Sequence, residues 1–288
     1  MNELDYWLWL SKIELNSKLK KDLVLNYRDP ERIFNLTKKE LAESNISNEN
    51  IHCLLDKKFR KKDNTYKNYI DKNGIGILTI LSKNYPRKLL EIYDSPIVLF
   101  YKGNIDLLTK KILAIVGSRE CSDYGKKTTK YFANQLAKKD ICIISGLAKG
   151  IDTFAHESSM RAIGKTIAVL GAGLDIVYPK ENEKLYESII DNNGLILSEY
   201  ILGTKPLAIN FPKRNRIISA LADGILVVEA SKKSGAIITV DYGLEQGKDI
   251  YAVPGNITSY NSMGTNELLK QGAKIVTNIN DILEEIDI

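Results

Sequence analysis

From residue 111 onward the chain repeats one unit: a short apolar run, a glycine-rich or basic loop, then an amphipathic stretch with helical spacing. The apolar runs fall at 112–116, 141–145, 166–170, 195–198, 225–229 and 250–253, with a shorter one expected near 274–277. They are almost continuously apolar, as strands covered on both faces are. Between them, apolar residues recur every three to four positions over 124–138, 151–163, 181–190, 215–221 and 237–246, and again over 279–286. Such alternation folds into an α/β protein with a doubly wound, mostly parallel, Rossmann-like sheet. All loops that follow strands then gather on one edge of the sheet, where open parallel sheets bind their ligands.

The first 65 residues read differently. Helical spacing at 4–13, 18–27, 32–36 and 50–59 predicts a small all-helical N-terminal domain over 1–65, leaving 66–288 to the extended Rossmann-like domain. Pro30 directly after Asp29 marks a helix start. The run KKFRKK at 57–62 carries five positive charges. It reads either as a phosphate-contacting patch or as a solvated helix end. Two more strands are expected at 75–81 and 97–101, around Tyr85-Pro86 and Ser95-Pro96.

Several function classes drop out. No apolar run is long enough for a membrane span, and the acidic start MNELDYWLWL lacks the basic region of a signal peptide. The three cysteines form no CxxC pair, which predicts free thiols in the cytoplasm. The two histidines, His52 and His156, lie too far apart in sequence to suggest a metal site. No GxxxxGK[ST] motif is present, so a P-loop triphosphatase is not expected.

The loops after the strands share a chemistry. They are Gly117-Ser-Arg119, Ser145-Gly-Leu-Ala-Lys-Gly150, Gly171-Ala-Gly-Leu-Asp175, the 201–216 segment, Ser231-Lys-Lys-Ser-Gly235 and Pro254-Gly-Asn256. Glycines let a backbone approach a ligand, and the helix starts that follow favour anions. The 201–216 segment, ILGTKPLAINFPKRNR, carries Lys205, Lys213, Arg214 and Arg216 with no acid, and Phe211 among them offers a face for a base. A net charge of +5 adds little to this, because lysine is abundant along the whole chain. Asp152 and His156, four apart on one helix, read as structural: Asp152 orients the preceding loop and His156 packs in the core. Glu199 and Glu229 end their strands at the same edge and are expected to orient the cationic loop. No catalytic residue, cofactor or metal ligand is expected.

Together these motifs resemble the DprA/Smf family of bacterial DNA-processing proteins. The resemblance runs through Gly117-Ser-Arg119, Ser145-Gly-Leu-Ala-Lys-Gly-Ile-Asp152 with His156, Gly171-Ala-Gly-Leu-Asp175 with Tyr178-Pro179, and Ser198-Glu199. It continues through Phe211-Pro-Lys-Arg-Asn-Arg-Ile-Ile218, Val227-Val-Glu-Ala230, Ser234-Gly-Ala236 and Ala252-Val-Pro-Gly255. It covers residues 75–276, while the N-terminal helices resemble the family's SAM-like or helix-hairpin-helix domain. The resemblance implies a non-enzymatic, homodimeric single-stranded-DNA-binding protein of natural transformation. Such a protein protects incoming strands and helps load the RecA recombinase. By motif, the DNA would meet Arg119, Ser145, Gly146, Lys149, Lys205, Phe211, Lys213, Arg214, Asn215, Ser234 and Gly235. Arg119 and Arg214 would be the main phosphate ligands, while Gly146 and Gly235 would lend backbone N–H groups. Arg216 would pair with Glu199 or Glu229 beneath the surface. Apolar positions around Ile237-Ile238 and Leu268-Leu269 are candidate dimer contacts. Many members carry a C-terminal winged-helix domain, and none is expected within this chain. Val240 replaces a small residue common in the family.

The competing reading is a nucleotide-processing enzyme of the phosphoribohydrolase type. Gly264-Thr-Asn-Glu267 echoes that family's GxGTxxE, but the PGG that should precede it closely is missing.

Overall fold

The structure, a computed structural model, describes residues 1–44, 46–60, 64–162 and 164–286. Lys61 and Lys62 of the basic run, and the end of the helix expected over 151–163, lie outside the described residues.

Nine strands among the described residues form one sheet. They are β1 (Gly76–Thr79), β2 (Val98–Gly103), β3 (Ile112–Val116), β4 (Cys142–Ser145), β5 (Thr166–Val169), β6 (Leu195–Ser198), β7 (Gly224–Val227), β8 (Asp249–Ala252) and β9 (Lys274–Ile275). Their order is β1-β2-β6-β5-β4-β3-β7-β8-β9. From β6 to β9 all neighbours are parallel, whereas β1 and β2 add an antiparallel edge beside β6. Every residue of β3 to β7 is buried, which explains their nearly continuous apolar composition. The expected fold class is the observed one.

Helix starts follow local chemistry. Ser122 caps Asp123–Lys138 by accepting from the Gly125 N–H at 3.2 Å. Asp29 caps Pro30–Asn35 as the Asp-Pro pair predicts. Four helices among the described residues escaped the periodicity reading, Arg87–Glu91 and Met263–Lys270 among them. Lys38–Glu43 is too short to show a pattern, and its Thr37/Glu40 capping box is the stronger signal. Asn64–Lys72 straddles the domain boundary expected at residue 65.

The N-terminal helices share one apolar cluster with the sheet, in which Trp9, Leu10 and Leu54 join Leu78, Leu89 and Leu99. Each such fully buried large side chain contributes about 1.5–3 kcal/mol. Lys21 Nζ adds polar ties, donating to the carbonyls of Leu90 at 2.8 Å and Ile92 at 2.6 Å.

One boundary matters for function. The helix expected at 215 begins at Asn210 and runs to Leu221. Pro212 falls in its first turn, where a missing N–H breaks no helical bond. Phe211, Lys213 and Arg214 therefore stand on a helix rather than on the extended loop that their charge suggested.

Candidate functional site

β3 and β7 are neighbours in the sheet, yet the chain leaves them in opposite directions, toward β4 on one side and β8 on the other. This divergence is the topological switch point of a doubly wound sheet. A cleft of about 900 Å³ lies there. Its walls come from the loops after β3, β4, β5, β6 and β7, from the helix Asn210–Leu221, and from Tyr260 and Asn261.

The loop after β3 is held by its backbone. The Ser118 N–H donates to the Glu229 carbonyl at 2.7 Å, and the Ser118 carbonyl accepts from Ile151 N–H at 3.2 Å. Gly150, at φ +77°, closes over this loop so tightly that a Cβ would lie 2.3 Å from the Ser118 oxygen and 2.5 Å from the Arg119 oxygen. The Arg119 side chain is nonetheless exposed and makes no ion pair among the described residues. Its guanidinium sits 5.7 Å from the Phe211 ring centroid. Phe211 in turn lies 5.4 Å from Tyr178, tilted by 36°. Gly171 makes room for this pair, since a Cβ there would approach Phe211 to 2.9 Å. The first glycine of the half-fingerprint Gly171-Ala-Gly173 thus serves aromatic packing.

Opposite stands the helix Gly235–Glu245, capped by Ser234. Ser234 and Gly235 line the cleft, which puts the positive end of the helix at its wall. Asn215 links the two walls, donating from Nδ2 to the Gly235 carbonyl at 3.3 Å.

Four expected site residues do other work. Ser145 is buried, and its hydroxyl donates to the Ile115 carbonyl at 2.7 Å. The Gly146 N–H is already engaged: Asp152 Oδ2 accepts it at 3.0 Å and the Ala148 N–H at 3.2 Å. Arg214, expected as an exposed phosphate ligand, is only 5% exposed. Its Nη1 donates to the carbonyls of Gly146, at 2.8 Å, and of Val169, while Nε meets Asn215 Oδ1 at 3.1 Å. The cause is its place on the inner face of a helix that starts earlier than expected. Lys149 pairs with Glu181 at 2.5 Å, beside the cleft rather than in its lining. Lys205 and Lys213 are exposed next to the lining residues Pro206 and Pro212.

The buried groups beneath the cleft settle their charges internally. Burial raises the Asp152 carboxyl above the usual carboxylate range, against the pull of Arg214 and the two amides. Burial lowers Arg214 to about 10, so it remains a cation at neutral pH. His156 is driven down to about 3 by burial, with Arg214 pushing the same way. It is neutral, with Nδ1 donating to Thr166 Oγ1 at 2.7 Å, because that hydroxyl already donates to the Ile143 carbonyl. Its Nε2 has no hydrogen-bond partner among the described residues. Asp152 and His156 therefore form no acid/base pair.

Arg216 pairs beneath the surface as expected. It grips Glu199 through two 2.7 Å bonds and adds Asp94 Oδ2 at 2.8 Å. Burial opposes its charge, but Glu199 and then Asp94 outweigh it and raise its pKa. Glu229 orients no arginine. It accepts from the Ser122 N–H at 2.9 Å and hydroxyl at 2.5 Å. Sequence reasoning missed Asn182, which is buried with Nδ2 within reach of the Leu147 carbonyl at 2.9 Å and Thr153 Oγ1 at 2.9 Å. It holds the turn at Leu147, whose φ is +57°. Its neighbours Tyr178-Pro179 were the available signal.

A Rossmann-like sheet with an anion-suited cleft at its switch point defines the class. The chain belongs to the DNA recombination-mediator protein A family, whose model matches residues 76–287. It is 48% identical over 209 residues to DNA processing protein DprA of Streptococcus pneumoniae, covering 73% of each chain. It is 44% identical over 205 residues to Protein Smf of Escherichia coli, covering 71% of this chain and 55% of that protein. The crystal structure of the S. pneumoniae DprA superposes with a TM-score of 0.85 at 38% identity, covering 100% of both chains. A Helicobacter pylori DNA processing protein A, described for its single-stranded DNA binding mode, superposes with a TM-score of 0.67 at 33% identity, over 74% of this chain and 95% of that one. The DprA/Smf resemblance is thereby established.

Proposed function

We propose that this protein binds single-stranded DNA in the switch-point cleft, without catalysing a reaction on it. The observation that carries this reading is Arg119: an unpaired, exposed guanidinium beside the Phe211–Tyr178 ring pair. Cation and aromatic faces side by side suit a strand whose phosphates and bases alternate. The helix start at Gly235 adds backbone N–H groups that read phosphate and not base identity. The H. pylori relative's described DNA binding supports the same reading. The Gly264–Glu267 segment of the enzyme alternative is engaged elsewhere: Gly264 N–H donates to the Ala230 carbonyl at 2.7 Å, and Asn266 clamps Gly255 through bonds of 3.1 and 3.0 Å.

In the cell, the proposal extends to protecting incoming strands in the cytoplasm during natural transformation and to helping RecA load. No helix among the described residues is long and apolar enough to cross a membrane. A homodimer is part of the proposal. Of the contacts expected for it, Leu268 is buried in the core and Ile238 lines the cleft. Sedimentation as a monomer at micromolar concentration removes the dimer from the proposal.

The test is a titration with single-stranded and duplex oligonucleotides and nucleoside monophosphates at several salt concentrations. Contact with three or four phosphates gives a slope of log K against log salt of about −2 to −3. Binding independent of salt, or turnover of a monophosphate, overturns the reading.

A further inference from the structure

Outside the cleft, two lysines share one aromatic ring. Lys126 Nζ lies 5.0 Å from the Phe154 ring centroid and Lys130 Nζ lies 5.4 Å from it. All three side chains are half-buried. The lysines stand four apart on Asp123–Lys138, and Phe154 stands on the packed neighbour Ile151–Arg161. Like charges at this spacing destabilise a helix. Neither lysine has a carboxylate partner among the described residues. Glu157, one turn beyond Phe154, is directed to Arg161 at 4.0 Å. The ring faces attract the ammonium groups but leave their net charge uncompensated. The cluster therefore lacks an anion.

Its position says which anion. The Phe154 N–H donates to the carbonyl of Gly150 at 3.1 Å, and Gly150 is the residue packed against the Ser118 and Arg119 backbone. Ser122 lies three residues beyond Arg119, and Lys126 lies one turn inside the Ser122 cap. The cluster thus begins in the first turn of the helix that follows the Arg119 loop. Cations interleaved with an aromatic ring are the elements of a single-strand-binding surface.

We propose that Lys126, Lys130 and Phe154 form a second contact track, which carries the single strand as it leaves the cleft past Arg119. This rests on the DNA-binding reading above. Short oligonucleotides occupy the cleft alone. Longer ones gain affinity by laying phosphates between the two ammonium groups.

The experiment uses the full chain with labelled oligothymidylates from about 4 to about 16 nucleotides, the range of single-strand sites. Wild type, K126Q/K130Q, F154L and the distant charge control K38Q/K39Q are compared, with thermal melts to show that each is folded. The track variant is expected to bind the shortest oligonucleotides as wild type does, and to lose about tenfold on the longest. Loss of two phosphate contacts also reduces its salt slope by about 1.4. F154L is expected to lose part of the same gain. Two results overturn the track: an unchanged gain with length in K126Q/K130Q, or an equal loss in K38Q/K39Q, which makes the effect one of net charge. Failure of wild type to bind any oligonucleotide overturns the DNA-binding reading itself, a result distinct from either.

Discussion

Arg214 and Asp152 hold one peptide turn from opposite sides. Arg214 donates to the Gly146 carbonyl at 2.8 Å, and Asp152 accepts the Gly146 N–H at 3.0 Å. A Cβ on Gly146 would meet the guanidinium at 2.4 Å and the carboxylate at 2.9 Å. The arginine that sequence marks as a DNA ligand thus fastens the floor of the cleft.

Arg214→Ala is accordingly expected to destabilise the whole fold. It orphans two buried carbonyls and leaves Asp152 without its neighbouring charge, a loss of about 3–5 kcal/mol. Urea unfolding measures this. An unchanged midpoint with weakened DNA binding would return Arg214 to the role of a surface ligand.

Arg119→Ala has the opposite profile. The side chain is exposed and unpaired, so the melting temperature stays at the wild-type value. A charge-assisted phosphate contact is worth about 1.5–3 kcal/mol, which corresponds to roughly a tenfold or greater loss of affinity. Wild-type affinity in a titration would remove Arg119 from the interface.

Gly150→Ala couples stability to binding. The residue adopts φ +77°, ψ −124°, and its new Cβ would press on the Ser118 and Arg119 carbonyls. The expected cost is about 1–3 kcal/mol of backbone strain. Displacement of Arg119 also weakens DNA binding, even at temperatures where the variant is fully folded. A destabilised variant with intact affinity would show that the loop yields without moving the guanidinium.

His156 makes the fold acid-sensitive. In the unfolded chain it titrates near 6.5, while in the fold burial holds it neutral down to about 3. Between those values the unfolded chain carries the extra proton, so stability falls as pH drops, by about 1.4 kcal/mol per pH unit. Asp152, raised by burial, acts with the opposite sign but is common to both proteins compared. The difference in stability between wild type and His156→Asn should therefore shrink or invert steadily from pH 7 to pH 5. A constant difference means that the histidine is not the titrating group.

How much of this was legible beforehand differs from residue to residue. Strands β3 and β6 lie where their apolar runs predicted, because a strand covered on both faces is built almost wholly of apolar residues. Gly117, Gly150 and Gly235 were marked as backbone positions of the rim, and Arg119 as its cation. The partner of Arg216 was narrowed to two glutamates, and Glu199 is the one. Missed were Asn182, which carries no signal at the level of composition, and the helical start at Asn210, hidden by proline and charge.

The sequence by itself determined the class of sheet, the edge on which its loops collect, and the family, since periodicity and ordered motifs are properties of the chain read along its length. Which cations face solvent was decided only by the tertiary structure. Arg119, Arg214 and Arg216 look alike in sequence, yet one is exposed, one binds carbonyls and one is locked between carboxylates. Helix phase sets which side of Asn210–Leu221 turns inward, and a buried guanidinium is tolerated only where distant segments bring oxygens to meet it. Those oxygens, from Gly146, Val169, Glu199 and Asp94, come together only when the sheet is assembled.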